Sequence, residues 1–279
     1  WIGNTTSWNT IGNWTYGIYL ARTSATGDTI IGNVIGPGYD GNTLLTNGWQ
    51  DKGIYLTNSP NNIIGTSAAG AKNIISDNGK PTAPNTDCGI WITGAGATGN
   101  IIRGNHIGCN AAGTNNPFNL YQEYGIYLET SANNNTIGGS GTGEGNLMSG
   151  SLTNLCLATN NNLVQGNTIG PQLGGMAVMT GAGGGGATGI QITGANNTIG
   201  WNSVLNEGNI ISGHNTYGMY ISGGSNTLIQ GNKIGIASDG STYLTSSTQE
   251  YGLYVNAFGS CTIGGTGTGQ RNIISGNTN

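Results

Sequence analysis

A four-residue idiom of glycine, apolar, aromatic, apolar recurs along this chain, and it limits the fold more than any other feature. It reads Gly17-Ile18-Tyr19-Leu20, Gly53-Ile54-Tyr55-Leu56, Gly89-Ile90-Trp91-Ile92 and Gly125-Ile126-Tyr127-Leu128, then Gly189-Ile190-Gln191-Ile192, Gly218-Met219-Tyr220-Ile221 and Gly252-Leu253-Tyr254-Val255. A degenerate copy, Asn154-Leu155-Cys156-Leu157, sits between the fourth and fifth of these, so eight copies start 36, 36, 36, 29, 35, 29 and 34 residues apart. A period of that size marks a stacked repeat architecture.

Two further short apolar segments, joined through an asparagine, lie between successive copies. In one kind of repeat they run together, as in Leu228-Ile229-Gln230-Gly231-Asn232-Lys233-Ile234-Gly235. In the other a Gly-rich loop separates them, as in Thr262-Ile263-Gly264-Gly265 and then Asn272-Ile273-Ile274. The two kinds alternate, giving four double units. Three short strands and three turns per repeat describe one triangular coil of a β-solenoid. Side chains alternate along a strand, so Ile18 and Leu20 point inward and Tyr19 outward. The expected fold is all-β: a single right-handed parallel β-helix of about eight three-strand coils over residues 1–279. At roughly 4.8 Å per coil it makes a rod about 40 Å long.

One asparagine per coil falls at the same bend: Asn33, Asn73, Asn105, Asn146, Asn167, Asn209, Asn232 and Asn272. Asparagine tolerates left-handed turn geometry, and amides stacked in register can hydrogen-bond from coil to coil as a ladder. Charged residues make up only 6% of the chain, with 54 glycines among 279 residues. Such a composition could be disordered, but apolar residues recurring in register exclude that. The net charge of −4, with seven scattered basic residues, offers no stripe to neutralise phosphates and argues against nucleic-acid binding. No apolar run approaches the roughly 18 residues that span a bilayer. Cys88, Cys109, Cys156 and Cys261 lack metal-ligand spacing and read as small wall residues.

The Gly-Ile-x-Ile and Asn-x-Ile repeats resemble the right-handed parallel β-helix repeat proteins, the pectate-lyase-like fold. The segment from Thr262 to Asn277 is similar to the Asn/Gly-rich repeats of large secreted or surface microbial proteins. The resemblance covers essentially the whole chain. It implies an extracellular or cell-surface location and a function drawn from a broad set: polysaccharide lyases, glycosidases, epimerases, adhesins, fibres. The motifs of the catalytic members are incomplete. Asn85-Thr86-Asp87 lacks a paired Asp and an Arg-Ile-Lys, Gly213-His214 lies several coils on, and Tyr124-Gly125-Ile126 does not continue as Asp-Pro-His.

Two constellations remain. Asp51, Asp87 and Glu123 precede the repeated strand at one register on three successive coils, with Glu250 at the same register further along. Carboxylates roughly 5 Å apart suit solvated acids balanced by Lys52, a calcium site, or a retaining-glycosidase pair. The second is an outward aromatic stripe of Tyr19, Tyr55, Trp91 and Tyr127, resumed by Tyr220 and Tyr254 after Cys156 and Gln191, with Trp49 and Tyr121 in the preceding loops. Such rings serve either a polysaccharide or protein partner, or the stability of the wall itself. Asn4, Asn13, Asn134 and Asn196 match the glycosylation sequon. The repeat idiom already appears in Asn9-Thr10-Ile11-Gly12-Asn13, and nothing resembling a cap follows Asn277. The expectation is therefore a structural or adhesive solenoid, either one segment of a longer array or a subunit that stacks end to end into a fibre. The alternatives are a polysaccharide-active enzyme and a non-catalytic carbohydrate-binding module.

Overall fold

The structure, a computed structural model, describes residues 9–12, 15–21, 26–45, 49–80, 87–118, 122–129, 131–181, 184–200, 207–244, 248–256 and 259–279. Among the described residues every regular element is a strand, and all strands but Asn115–Asn116 and Thr180–Gly181, which pair with each other, form three long parallel sheets that run the length of the chain. Wall 1 holds eight strands, from Tyr16–Ala21 to Tyr251–Val255; wall 2 holds eight, from Thr29–Ile30 to Cys261–Ile263. Wall 3 holds nine, from Asn9–Ile11 to Ile273–Ile274. One strand from each wall makes a coil, and each pairs in parallel with its counterparts in the coils before and after. The fold is the right-handed parallel β-helix that the periodicity implies. Wall 1 strands are five or six residues long, whereas most in walls 2 and 3 span only two or three, shorter than the pattern suggests, because each is caught between two corners.

The inward residues form one continuous core. Ile54, Ile90, Ile126 and Leu155 are in register on successive coils of wall 1 and have no solvent exposure. Burying each such side chain contributes about 1.5–3 kcal/mol relative to leaving it exposed. The glycine that opens each idiom is fixed by close approach. A Cβ at Gly53 would lie 2.6 Å from the Gly89 carbonyl oxygen of the next coil and 2.8 Å from Ile75 Cγ2.

The eight bend asparagines form an unbroken ladder with Asn9 as its first rung. Each donates its Nδ2–H to the Oδ1 of the next, at 3.0 Å from Asn33 to Asn73, 2.8 Å from Asn73 to Asn105 and 3.2 Å from Asn232 to Asn272. The same Oδ1 also accepts the preceding rung's backbone N–H, as Asn105 Oδ1 does from Asn73 at 3.2 Å. These asparagines do not carry the left-handed torsion; the preceding glycine does at Gly32, Gly104, Gly166 and Gly231. The turn is made by the residue without a Cβ, leaving the asparagine to hold the rungs.

A second ladder, not anticipated, occupies the corner that leads into wall 2. It joins Asn62, Asn100, Asn135, Asn162 and Asn197 at 2.8–3.0 Å and gives way to Thr227 on the next coil. Here the left-handed residue is often another asparagine: Asn61, Asn134, Asn161 and Asn196 have φ between 56° and 59°. The third corner carries a mixed column. Gln50 donates to Asn78, Asn78 to Gln122, and Gln122 to Ser151. Further along, His214 lies between the Asn154 amide, 3.2 Å from Nε2, and Gln249 Oε1, 3.1 Å from Nδ1. Because Gln249 presents an oxygen and Asn154 an amine, Nδ1 must hold the proton and Nε2 must accept.

The alternation of coils has a packing cause. Odd coils send out a turn after wall 3, and these turns stack: Ala111 N–H donates to Gly41 O at 3.0 Å, Leu173 to Gly113 at 2.8 Å and Ser238 to Gly175 at 2.9 Å. Each turn's glycine lies against the outward apolar side chain of the following even coil: Gly41 on Ile74, Gly113 on Leu147, Gly175 on Ile210 and Gly240 on Ile273. Odd coils place Val34, His106, Thr168 or Lys233 at that outward position. The double unit is thus a turn from one coil roofing the next.

Two measurements test this architecture. Asn105→Ala leaves the Asn73 donors and the Arg103 carbonyl without partners and removes one of the two donors to the Ile64 carbonyl, which keeps the Arg103 N–H. It should cost about 1–3 kcal/mol per orphaned group, read as a lower urea midpoint at unchanged slope. Burial lowers the pKa of both His106 and His214 to about 4. Their folded pKa lies below the unfolded value near 6.5, so the stability they contribute is complete above pH 6.5 and lost as pH falls towards 4, about 3 kcal/mol for each. His214→Gln keeps a donor facing Gln249 and an acceptor facing Asn154. It should roughly halve that acid-side loss while leaving neutral-pH stability close to wild type.

Candidate functional site: the aromatic face of wall 1

Wall 1 bends at the repeated glycine. Gly17 and Ile18 both face inward, since a Cβ on Gly17 would meet Ile35 Cγ2 at 2.9 Å while Ile18 lies in the core. Strict alternation would send Tyr16 inward with Ile18. The bend instead returns Tyr16 to the outer face beside Tyr19, their ring centroids 5.4 Å apart. Wall 1 therefore carries two outward columns. The expected one is Tyr19, Tyr55, Trp91, Tyr127, Cys156, Gln191, Tyr220 and Tyr254; the other is Tyr16, Lys52, Cys88, Tyr124, Thr153, Thr188, Tyr217 and Tyr251. The signal for the second column was present in the sequence as Tyr-Gly-apolar-Tyr at Tyr16, Tyr124, Tyr217 and Tyr251.

The rings form two patches. In the first, Tyr19 stacks on Tyr55 at 5.0 Å and 13°, Tyr55 on Trp91 at 5.1 Å, Trp91 on Tyr127 at 6.1 Å, and Tyr124 on Tyr127 at 4.7 Å. In the second, Tyr217, Tyr220, Tyr251 and Tyr254 pack at 5.1–5.8 Å. Near-parallel rings this close must overlap face to face in an offset stack, because side-by-side rings would collide. Neighbouring rings therefore occupy most of the faces, and the wall shows solvent mainly ring edges and hydroxyls. Tyr19 is the most open, 51% exposed. Partial burial raises the phenol pKa of Tyr55 and Tyr124 and pushes Tyr127 up to about 12, so these hydroxyls stay protonated at neutral pH. Glu129, missed in the sequence, accepts the Trp91 indole N–H at 3.0 Å.

The acid column is in register through its backbone: Cys88 N–H donates to Asp51 O, Tyr124 to Asp87 O and Thr153 to Glu123 O. The side chains diverge. Lys80, from the loop that follows wall 3, binds Asp51 at 2.7 Å, and its backbone N–H donates to Asp87 Oδ2 at 2.9 Å. The expected counter-ion, Lys52, lies instead over Trp91, 4.6 Å from the ring centroid, and 5.8 Å from that of Tyr16. Its outward strand position holds it between rings, from where its charge still acts on Asp87 through space. Nor are all three acids solvated: Asp87 is 1% exposed, and burial, reinforced by the charge of Asp51, raises its pKa. Among the described residues, no three His, Cys, Asp or Glu side chains gather in a way that could hold a metal ion. The side chains of Asp51 and Asp87 turn instead to Lys80. Glu250 shares the register in the last coil, where its carbonyl accepts from Asn279 N–H.

The other sequence candidates disperse. Asn85, Thr86, Tyr121, Asn4 and Asn13 lie outside the described residues. His214 is fully buried in the third-corner column, Asn134 and Asn196 sit exposed at left-handed corners, and Trp49 is exposed on a loop. All four cysteines are free thiols, and burial raises Cys109 and Cys156 to about 12.

Added calcium or a chelator should leave the melting temperature unchanged, read by scanning calorimetry. Asp51→Asn should lower stability by only about 0.2–1 kcal/mol, since its ion pair is partly exposed. Asp87→Asn should be neutral or stabilising, because the carboxylate it replaces is desolvated.

No protein-family model, curated protein or solved structure matches this chain.

Proposed function

We propose that this chain is a structural or adhesive β-solenoid, extracellular or on a cell surface, whose working surface is the aromatic face of wall 1. One observation carries the reading: ten aromatic side chains lie in two rigid patches on one side of a rod held by three buried polar columns. Large apolar surfaces on folded proteins usually serve contact. The exposed ring edges and hydroxyls, most open at Tyr19, also favour a non-catalytic carbohydrate-binding role. Catalysis draws less support, because Lys80 engages Asp51 and Asp87 is enclosed. The repeat idiom together with the solenoid fold supports placing the chain with the Asn/Gly-rich parallel β-helix repeat proteins.

The proposal extends to stacking. The inward-register residues Val255, Ile263 and Ile274 of the last described coil are 44%, 47% and 44% exposed, and another coil would cover them. That coil comes either from the same polypeptide or from a second copy. The amide-to-amide bonds of the ladder all run from the earlier coil to the later one, so addition is head to tail and does not close.

Two experiments test these readings. A Tyr19→Ala, Tyr55→Ala, Tyr254→Ala variant should keep its β-rich circular dichroism and lose retention on an immobilised glycan or cell-surface panel. Retention equal to wild type would remove the aromatic face from the proposal. Light scattering across a concentration series should show growing assemblies, and a concentration-independent monomer would leave only continuation within one polypeptide.

A further inference from the structure

Six aromatic rings at one end of wall 1 form a chain without a gap. Centroids are 5.4 Å apart for Tyr16 and Tyr19, 5.0 Å for Tyr19 and Tyr55, 5.1 Å for Tyr55 and Trp91, 6.1 Å for Trp91 and Tyr127, and 4.7 Å for Tyr127 and Tyr124. Trp91 differs from the rest in two ways. Its indole N–H donates to Glu129 Oε2 at 3.0 Å, and the Lys52 ammonium sits 4.6 Å from its ring centroid. The ammonium disfavours a cation on the indole. The carboxylate provides a place for the indole proton, so loss of an electron from Trp91 is coupled to loss of that proton. Oxidised indole is in turn a strong enough oxidant to take an electron from a phenol. The end of the chain is where a phenol can release its proton to water, because Tyr19 is 51% and Tyr16 37% exposed.

We propose that this ring chain is an oxidative cross-linking site, in which Trp91 relays oxidation to Tyr19 and Tyr19 couples to Tyr16 or Tyr55. The co-reactant is a one-electron oxidant of the high-valent metal class, such as a peroxidase ferryl haem or a photogenerated ruthenium(III) complex. It takes one electron from Trp91, whose N–H proton passes to Glu129, leaving a neutral indolyl radical. Trp91 then recovers an electron through Tyr55 from Tyr19 and its proton from Glu129, while the Tyr19 hydroxyl proton goes to water. A second oxidation generates a second phenoxyl radical at Tyr16 or Tyr55. The two radicals form one carbon–carbon bond between ring positions ortho to the oxygens, and the two ortho hydrogens shift to oxygen as the rings regain aromaticity. Overall, two phenols become one biphenol, two electrons go to the oxidant and two protons to water. A Tyr19–Tyr55 bond would staple the first two coils covalently.

The molecule contains its own controls. Tyr39 and Tyr243 are more exposed, at 82% and 61%, and among the described residues neither meets another ring; the Tyr217, Tyr220, Tyr251, Tyr254 patch is as closely packed but has no tryptophan among its rings. The test is brief illumination of the intact protein with ruthenium tris-bipyridyl and persulfate, followed by dityrosine fluorescence, gel mobility and peptide mapping. The expected product is intramolecular and contains Tyr19, in several-fold excess over any cross-link through Tyr254 and over oxidation of Tyr39 or Tyr243. Trp91→Phe should cut the Tyr19 product several-fold, and Glu129→Gln should do the same with the tryptophan still in place. Circular dichroism checks that both variants remain folded, and Glu129→Gln serves alone if Trp91→Phe does not. Reaction led by Tyr39 or Tyr243, equal yield in the second patch, products that are mainly intermolecular, or a Glu129→Gln yield equal to wild type would each overturn the proposal.

Discussion

The interaction on which the rest depends is the shared acceptor of the asparagine ladder. Each Oδ1 takes two donors from the preceding rung, one from the side-chain amide and one from the backbone. The corner that must leave the sheet to turn is therefore still hydrogen-bonded from coil to coil. A buried corner with free N–H groups would be costly. With two asparagine ladders and a mixed column, the corners themselves become parallel hydrogen-bonded arrays, and walls 2 and 3 can be as short as two residues per strand.

That economy leaves little tolerance. The coils approach so closely at the idiom glycine that, from Gly17 to Gly218, the next coil's carbonyl oxygen lies only 2.4–2.7 Å from where a Cβ would be. The third column leans on the same glycines, with Gln50 Nε2 beside Gly17 and Gln249 Nε2 beside Gly218. High glycine content is thus a condition of tight stacking, and the low charge follows from it. A charged side chain suits neither a ladder position nor the core, and charged residues lie on loops or at outward and terminal strand positions, as Lys80, Lys52, Lys233 and Glu129 do.

The aromatic face follows from the same bend. By turning both Gly and the following apolar residue inward, each wall 1 strand gains a second outward position three residues before the first, and two columns of rings can touch. Stacking uses up ring faces, which stabilises the wall and narrows what an external partner can meet to edges, hydroxyls and the open Tyr19 end.

The eightfold idiom by itself determined the fold class, the inward residues, the main asparagine ladder and the expected aromatic stripe, because all of these depend on period and alternation, which a sequence displays directly. The Asn-Asn doublets and Tyr-Gly-apolar-Tyr copies also held the second ladder and second column, though reading them needed the bend at glycine. Only the tertiary structure decided the partners of the acids. Backbone register did place Asp51, Asp87 and Glu123 in one column, yet Lys80 comes from a loop outside the repeat and draws the first two to itself, while Lys52 is held between rings. Periodicity sets where a backbone stacks; where a side chain at the end of a loop comes to rest depends on the one non-repeating neighbour that reaches it.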